Sequence, residues 1–123
     1  MEYLVIGIGG ILGANARYLI AGWAAQRFGT VFPYGTFVIN ISGSVILGLF
    51  MALLQDRAFI HPNYRLFFAT GFCGAYTTFS TLTYESLRLL QDGSVLLGLT
   101  NIVGSMVVGM LGVFFGFLIG RMI

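Results

Sequence analysis

A cluster of hydroxyl-bearing residues interrupts one of the apolar stretches of this chain. Residues 71–81, with the sequence GFCGAYTTFST, place two glycines and then four serine or threonine residues where an apolar helix would otherwise run. Adjacent β-branched threonines beside glycine are unfavourable in a helix, because their hydroxyls also compete for backbone hydrogen bonds. We therefore predict a broken helix. Carbonyls freed by a break suit a hard cation such as sodium, whereas freed amides and hydroxyls suit an anion.

Three further polar residues lie inside apolar stretches, where polar groups are costly. Arg17 has two interpretations that stay open: its side chain extends to the membrane interface, or it is a buried cation that attracts an anion. The amide of Asn40 can donate two hydrogen bonds to an anion or bond a neighbouring helix, and spacing alone favours the helix bond. Ser105 follows Asn101 by about one turn, a pattern that also fits helix packing.

These residues must be held by membrane-spanning elements. Hydrophobic residues make up 58% of the 123 residues and charged residues only 8%, against about 25% charged in a typical soluble domain. Four apolar runs, at about residues 3–25, 34–54, 64–90 and 94–120, each reach the roughly 20 residues that a transmembrane helix needs. Four strands could not close into a membrane barrel. We predict an all-α membrane protein with a single domain, residues 1–123, of four transmembrane helices.

Glycines recur at helical spacing in the first and last runs. Gly9 and Gly13 form one pair, and Gly112, Gly116 and Gly120 form a ladder. Small residues four positions apart let the backbones of membrane helices approach closely. We predict that both sets mark helix–helix contacts.

The loop charges are nearly balanced. With four crossings, Arg57, Arg65 and Arg121 lie on one side of the membrane, and Arg27 and Arg88 lie on the other. Such a weak bias under the positive-inside rule is compatible with insertion in both orientations, and hence with antiparallel dimers. Four small helices enclose little space, so a polar pathway is more easily built between subunits than within one of them.

The net charge of +2 is too small and too dispersed to indicate a nucleic-acid partner.

Three motifs together resemble the Fluc/CrcB family of fluoride ion channels. They are GGILGA at residues 9–14 followed by RY at 17–18, GT at 35–36 followed by VIN at 38–40, and the segment at 71–81. The three occur in the family's order, and the resemblance covers the whole chain. Any one of these motifs alone would be weak evidence.

The resemblance implies an antiparallel, dual-topology homodimer in the cell (inner) membrane that exports fluoride passively from the cytoplasm through two pores. It further implies that the third helix is broken and that backbone carbonyls of Gly74 and Thr77 hold a central structural sodium ion. The residues that match the family's pore positions are Arg17, Asn40, Phe79, Ser80, Thr81 and Ser105.

One position departs from the family pattern. Three residues after Phe79 the family usually has a second phenylalanine, and this chain has Leu82. The edge of an aromatic ring carries partial positive charge and could contact a desolvated anion, which a leucine cannot do. Some family members pair different subunits, so a heteromeric partner is an alternative to the homodimer.

Two other functions compete with the channel. A small proton-coupled multidrug exporter needs a carboxylate in its first helix, but the first run has Arg17 and only Glu2 at its edge. For Glu85 we predict an interfacial salt bridge with Arg88, and a proton-coupled carboxylate is the second interpretation. A non-transporting subunit of a membrane complex is the other alternative. No nucleophile–base pair is found, so we predict that the protein is not an enzyme.

Overall fold

The computed structural model describes residues 1–55 and 57–123, which fold entirely as helices and connecting turns. The elements are α1 (Glu2–Phe28), α2 (Tyr34–Gln55), α3 (Pro62–Arg65), a π-helix (Leu66–Cys73), α4 (Gly74–Tyr76), α5 (Phe79–Gln91) and α6 (Val95–Met122). Within the described residues, three helices are long and apolar enough to cross a bilayer: α1, α2 and α6. The predicted all-α membrane architecture is confirmed at this level, and these three helices agree with the first, second and fourth apolar runs to within three residues.

The third apolar run contains the predicted break. α3, the π-helix and α4 continue into one another and end at Tyr76. Thr77 and Thr78 then adopt extended backbone, with φ and ψ of −80° and 157° and of −150° and 117°, and α5 begins at Phe79. The Thr78 hydroxyl accepts a hydrogen bond from the Thr81 N–H and so caps α5. The break therefore coincides with the two adjacent threonines that predicted it.

α1 packs against the π-helix through glycines on both sides. A Cβ atom on Gly9 would collide with the carbonyl oxygen of Phe67, and one on Gly13 with that of Phe72. On the facing helix, a Cβ on Gly71 would lie 2.7 Å from the Ile6 carbonyl oxygen. The predicted contact at Gly9 and Gly13 is confirmed: only glycine permits this approach of two backbones.

The glycine ladder of α6 lies against α2. A Cβ on Gly116 would collide with the Val45 carbonyl oxygen, and one on Gly120 would lie 2.6 Å from the Leu49 carbonyl oxygen. A glycine on the opposite helix, Gly48, lies equally close to the backbone of α6. This reciprocal contact, also predicted, fixes α6 beside α2.

Much of the molecular surface is apolar. The outward side of α6 exposes large hydrophobic side chains such as Met110, at 72%, and Phe114, at 61%. A single chain therefore presents surfaces that suit lipid or another apolar partner rather than water.

We predict that Gly116→Ala lowers the midpoint of thermal unfolding in detergent, because its new methyl group meets the α2 backbone. Overpacking of this kind costs about 1–3 kcal/mol. Gly22→Ala in α1 is the matched control, since a Cβ there meets nothing within 4 Å. Circular dichroism at 222 nm measures both variants. Equal midpoints for the two variants would contradict the proposed backbone contact.

Candidate functional site

A groove with a volume of about 400 Å³ opens beside the helix break. Residues of α2, of the π-helix, of α4 and α5, and of α6 contribute to its wall. Five residues singled out by the sequence come together here: Asn40, Gly74, Thr77, Phe79 and Ser105. They come from three separate parts of the chain, so this convergence is a product of the tertiary structure.

Asn40 bridges from α2 to the break. Its Nδ2 donates to the Thr78 carbonyl oxygen at 3.1 Å, and its Oδ1 accepts from the Thr78 N–H at 2.8 Å. A single side chain thus satisfies both backbone groups of a residue that has left the helix. The interhelical role favoured by spacing is confirmed. Nδ2 carries two hydrogens, so one remains available to another acceptor.

The break changes the surroundings of two carbonyl groups. In a continuous helix, the Gly74 carbonyl would accept from the Thr78 N–H and the Thr77 carbonyl from the Thr81 N–H. Here the Thr78 N–H donates to Asn40, and the Thr81 N–H donates to the Thr78 hydroxyl at 3.3 Å. The amides that would normally bond these carbonyls are therefore engaged elsewhere. Backbone oxygens in this situation are suitable ligands for a hard cation.

Other polar groups next to the break are satisfied within the chain. The Ser42 hydroxyl shares a hydrogen bond of 2.8 Å with the Tyr76 hydroxyl, and the Thr77 hydroxyl donates to the Cys73 carbonyl at 2.9 Å. Ser44, also in the groove wall, donates back to the Asn40 carbonyl at 2.7 Å. These bonds hold the break to α2 and to its own helix.

Two buried side chains of α6 keep an unused polar atom. The Asn101 Nδ2 donates to the Ser86 hydroxyl at 2.9 Å, and Ser86 donates to the Leu82 carbonyl at 2.7 Å. Among the described residues, neither Asn101 Oδ1 nor Ser105 Oγ has a hydrogen-bond partner. Sequence reasoning missed Ser86, whose position opposite Asn101 is decided only by the packing of α5 on α6. Ser105 contributes to the groove wall, with its hydroxyl oxygen buried.

The other three predicted pore residues lie outside the groove wall. The Nε of Arg17 donates to the Ala75 carbonyl oxygen at 3.1 Å, so this cation binds the end of the first half of the broken helix. Ser80 and Thr81 belong to the first turn of α5, where the Thr81 hydroxyl accepts from the Thr78 hydroxyl at 3.0 Å. Their assignment to a pore stays a prediction.

Glu85 has a different partner from the one expected. Its carboxylate accepts a hydrogen bond from the hydroxyl of Thr36 on α2, whereas the exposed Arg88 donates to the Tyr84 hydroxyl at 3.4 Å. The expected ion pair between Glu85 and Arg88 is wrong, because each of the two side chains bonds a different hydroxyl group. Thr36 belongs to the GT motif and lies one turn before Asn40 on the same side of α2, but its bond to Glu85 was not predicted.

The profile of the family described as CrcB-like protein, Camphor Resistance (CrcB), matches residues 4–117. The chain belongs to the CrcB family. A relative from a Sulfurihydrogenibium species is 44% identical over 122 residues, covering 99% of this chain and 98% of the relative. One from Acidobacterium capsulatum is 44% identical over 123 residues, covering 100% and 98%. One from Chloroflexus aurantiacus is 47% identical over 118 residues, covering 96% and 94%. All three carry the name fluoride-specific ion channel FluC.

We predict that Asn40→Leu strongly lowers the thermal unfolding midpoint of this CrcB protein in detergent. The substitution leaves the N–H and the C=O of Thr78 without their partner, and each unsatisfied group costs about 1–3 kcal/mol. Ser44→Ala is the matched control on the next turn of α2, since it removes only a bond within its own helix. Similar midpoints for the two variants would show that Asn40 does not hold the break.

Proposed function

We propose that this chain is a fluoride-selective channel that exports the ion passively across the inner cell membrane and carries out no enzymatic reaction. The support from relatives is that three proteins that match almost the full length of the chain are named fluoride-specific ion channel FluC. The observation that carries the proposal is the groove, in which Asn40, Phe79 and Ser105 surround the break.

In this proposal residues 1–123 form one channel domain with four membrane-spanning segments. α1, α2 and α6 are three of them. The two halves of the broken helix, ending at Tyr76 and starting at Phe79, together act as the fourth. Irregular backbone at membrane depth is tolerated where other protein groups satisfy it, as Asn40 does for Thr78.

The polarity of the groove favours an anion on the α5 side. Thr78 and Phe79, at the N-terminal end of α5, both line it. The N-terminal end of a helix carries partial positive charge and free N–H groups. The second amide hydrogen of Asn40 adds a donor. Fluoride is small and strongly hydrated, and such donors can replace its water.

Phe79 supplies the aromatic part of the proposed pore. In the single chain this residue is 72% exposed, and it contributes to the groove wall. The positive edge of its ring suits a partly dehydrated anion. Leu82, which is 6% exposed, also lines the groove and stands where the family usually has its second phenylalanine. The proposed aromatic lining is therefore reduced to one ring per chain.

We also propose that the carbonyls of Gly74 and Thr77 hold a structural sodium ion. Both residues line the groove, and their usual helical partners donate elsewhere. A bound sodium ion would neutralise the partial negative charge of these oxygens. The all-oxygen ligand set is the kind that such a hard cation prefers.

The pore is proposed to be completed by a second copy of the chain in the opposite orientation. The groove is open on one side, and the apolar outer face of α6 beside it exposes Met106 and Met110. Three arginines against two across the predicted sides give little bias in orientation. A heteromeric partner is the alternative occupant of this face.

Purified protein in liposomes should release fluoride quickly and chloride slowly, each followed with an ion-selective electrode. Phe79→Ile should slow fluoride release by up to about tenfold, if the ring edge contributes as much as in an aromatic pair, about 0.5–1.5 kcal/mol. Phe59→Ile is the matched control, because Phe59 is 86% exposed and lies outside the groove. Absence of fluoride release from folded protein, both as wild type and as Leu82→Phe, would overturn the homodimeric channel.

Dual topology predicts that one loop position is accessible from both sides of the membrane. Thr30→Cys in a Cys73→Ala background puts a single thiol in the exposed α1–α2 loop. A membrane-impermeant maleimide should label about half of the protein in intact right-side-out vesicles, and the remainder only after permeabilisation. Complete labelling, or none, before permeabilisation would mean a single orientation.

A further inference from the structure

A second cleft lies beyond the C-terminal end of α2, at the loop that leads to α3. Its volume is about 370 Å³, and its wall includes three basic side chains, Arg57, His61 and Arg65. The loop sequence from residue 55 to residue 65 contains one acid, Asp56, which lies outside the described residues. The loop as a whole is therefore cationic. None of these residues lines the groove at the helix break.

His61 has a defined hydrogen-bonding state in this cleft. Its Nδ1 accepts a hydrogen bond from the Asn63 N–H at 3.1 Å, so Nδ1 carries no proton. The ring proton is then on Nε2, which is a donor. The cleft thus combines two guanidinium groups with an imidazole donor. Planar guanidinium groups with several N–H donors are the side chains best suited to phosphate oxygens.

An apolar cleft of about 510 Å³ adjoins the basic one. The two share Leu54, Ile60 and the side chains of Arg57 and His61. The far wall of the apolar cleft includes Phe50, Leu53, Phe59 and Phe68, and the rings of Phe50 and Phe68 stack at 4.4 Å. A basic recess next to an aromatic one matches the polarity of an anionic lipid, which is a phosphate joined to hydrocarbon.

The depth of the cleft agrees with such a ligand. α2 has 22 residues, and at 1.5 Å per residue it is about 33 Å long, close to the roughly 30 Å of the hydrocarbon core. The end of α2 at Gln55 therefore lies near one membrane interface, where lipid phosphates are found. Basic side chains at this level attract anionic lipids.

We propose that this double cleft binds one anionic phospholipid. The phosphate lies between Arg57 and Arg65 with His61 as an additional donor, and one acyl chain lies along Phe50 and Phe68. This site is separate from the proposed ion pathway, so its presence does not depend on which ion the protein conducts.

Native mass spectrometry of the full-length protein in detergent tests the proposal. The protein is incubated with equal amounts of phosphatidylglycerol and phosphatidylcholine that have the same dioleoyl chains, and the bound fractions are compared. We expect wild type to retain more phosphatidylglycerol. Arg57→Gln and Arg65→Gln should each reduce that preference by about fivefold, the effect of one arginine near an anionic lipid surface.

The control is the double variant Arg27→Gln/Arg121→Gln, which removes two positive charges outside both clefts, as many as Arg57→Gln and Arg65→Gln remove together. It should keep the preference of the wild type. Arg57→Lys/Arg65→Lys keeps the charge of the site and should also prefer phosphatidylglycerol, and size-exclusion chromatography confirms that each variant is folded. The proposal would be overturned if wild type retained the two lipids equally. It would also be overturned if the Arg27→Gln/Arg121→Gln control lost as much of the preference for phosphatidylglycerol as Arg57→Gln or Arg65→Gln.

Glycerol phosphate distinguishes a phospholipid from a free phosphate. It lacks the acyl chain that the aromatic cleft receives, so we expect glycerol phosphate at the same concentration as the lipid to displace little phosphatidylglycerol. Full displacement at equal concentration would overturn the lipid assignment and leave a site for soluble phosphates. Leu53→Asn, which puts an amide in the apolar cleft only, should weaken retention of both lipids.

Discussion

The pair of hydrogen bonds between Asn40 and the backbone of Thr78 is the interaction on which the rest of the site depends. A backbone N–H and C=O left unpaired in an apolar interior would each cost about 1–3 kcal/mol, and a continuous helix would then be the better structure. The amide side chain is the right size and chemistry to replace both missing partners at once. Its presence lets the chain leave the helix at Thr77, turns the Gly74 carbonyl away from its usual donor, and starts a new helix whose positive end lies at the groove.

Close helix packing brings Asn40 within reach of the break. A Cβ atom on Gly43 would collide with the Thr77 side chain and lie 3.1 Å from the Tyr76 ring, so the α2 surface next to Asn40 must be flat. On its other side α2 is held against α6 by Gly48 and Gly116. These contacts gain little from hydrophobic burial, because lipid is as apolar as the side chains, and depend on the close approach of backbones.

The polar groups of the membrane region separate into two kinds. Arg17 and Ser42 are bonded across helices to groups near the break, and they stabilise an otherwise costly backbone. Ser105 Oγ and one hydrogen of Asn40 have no partner among the described residues. A site that is to bind a strongly hydrated ion needs both kinds, because donors that replace water must be held in place by bonds that the ion does not disturb.

The sequence by itself determined the membrane class, the helices, the glycine contacts and the break, since each follows from local properties: apolar run length, small residues at helical spacing, and adjacent threonines. The motifs also indicated the family. Only the tertiary structure decided the partners. Glu85 bonds Thr36 rather than its near neighbour Arg88, and Asn101 bonds Ser86, because α2, α5 and α6 meet at angles that sequence spacing does not contain. The same packing made a groove from residues 65 positions apart in the chain, Asn40 and Ser105.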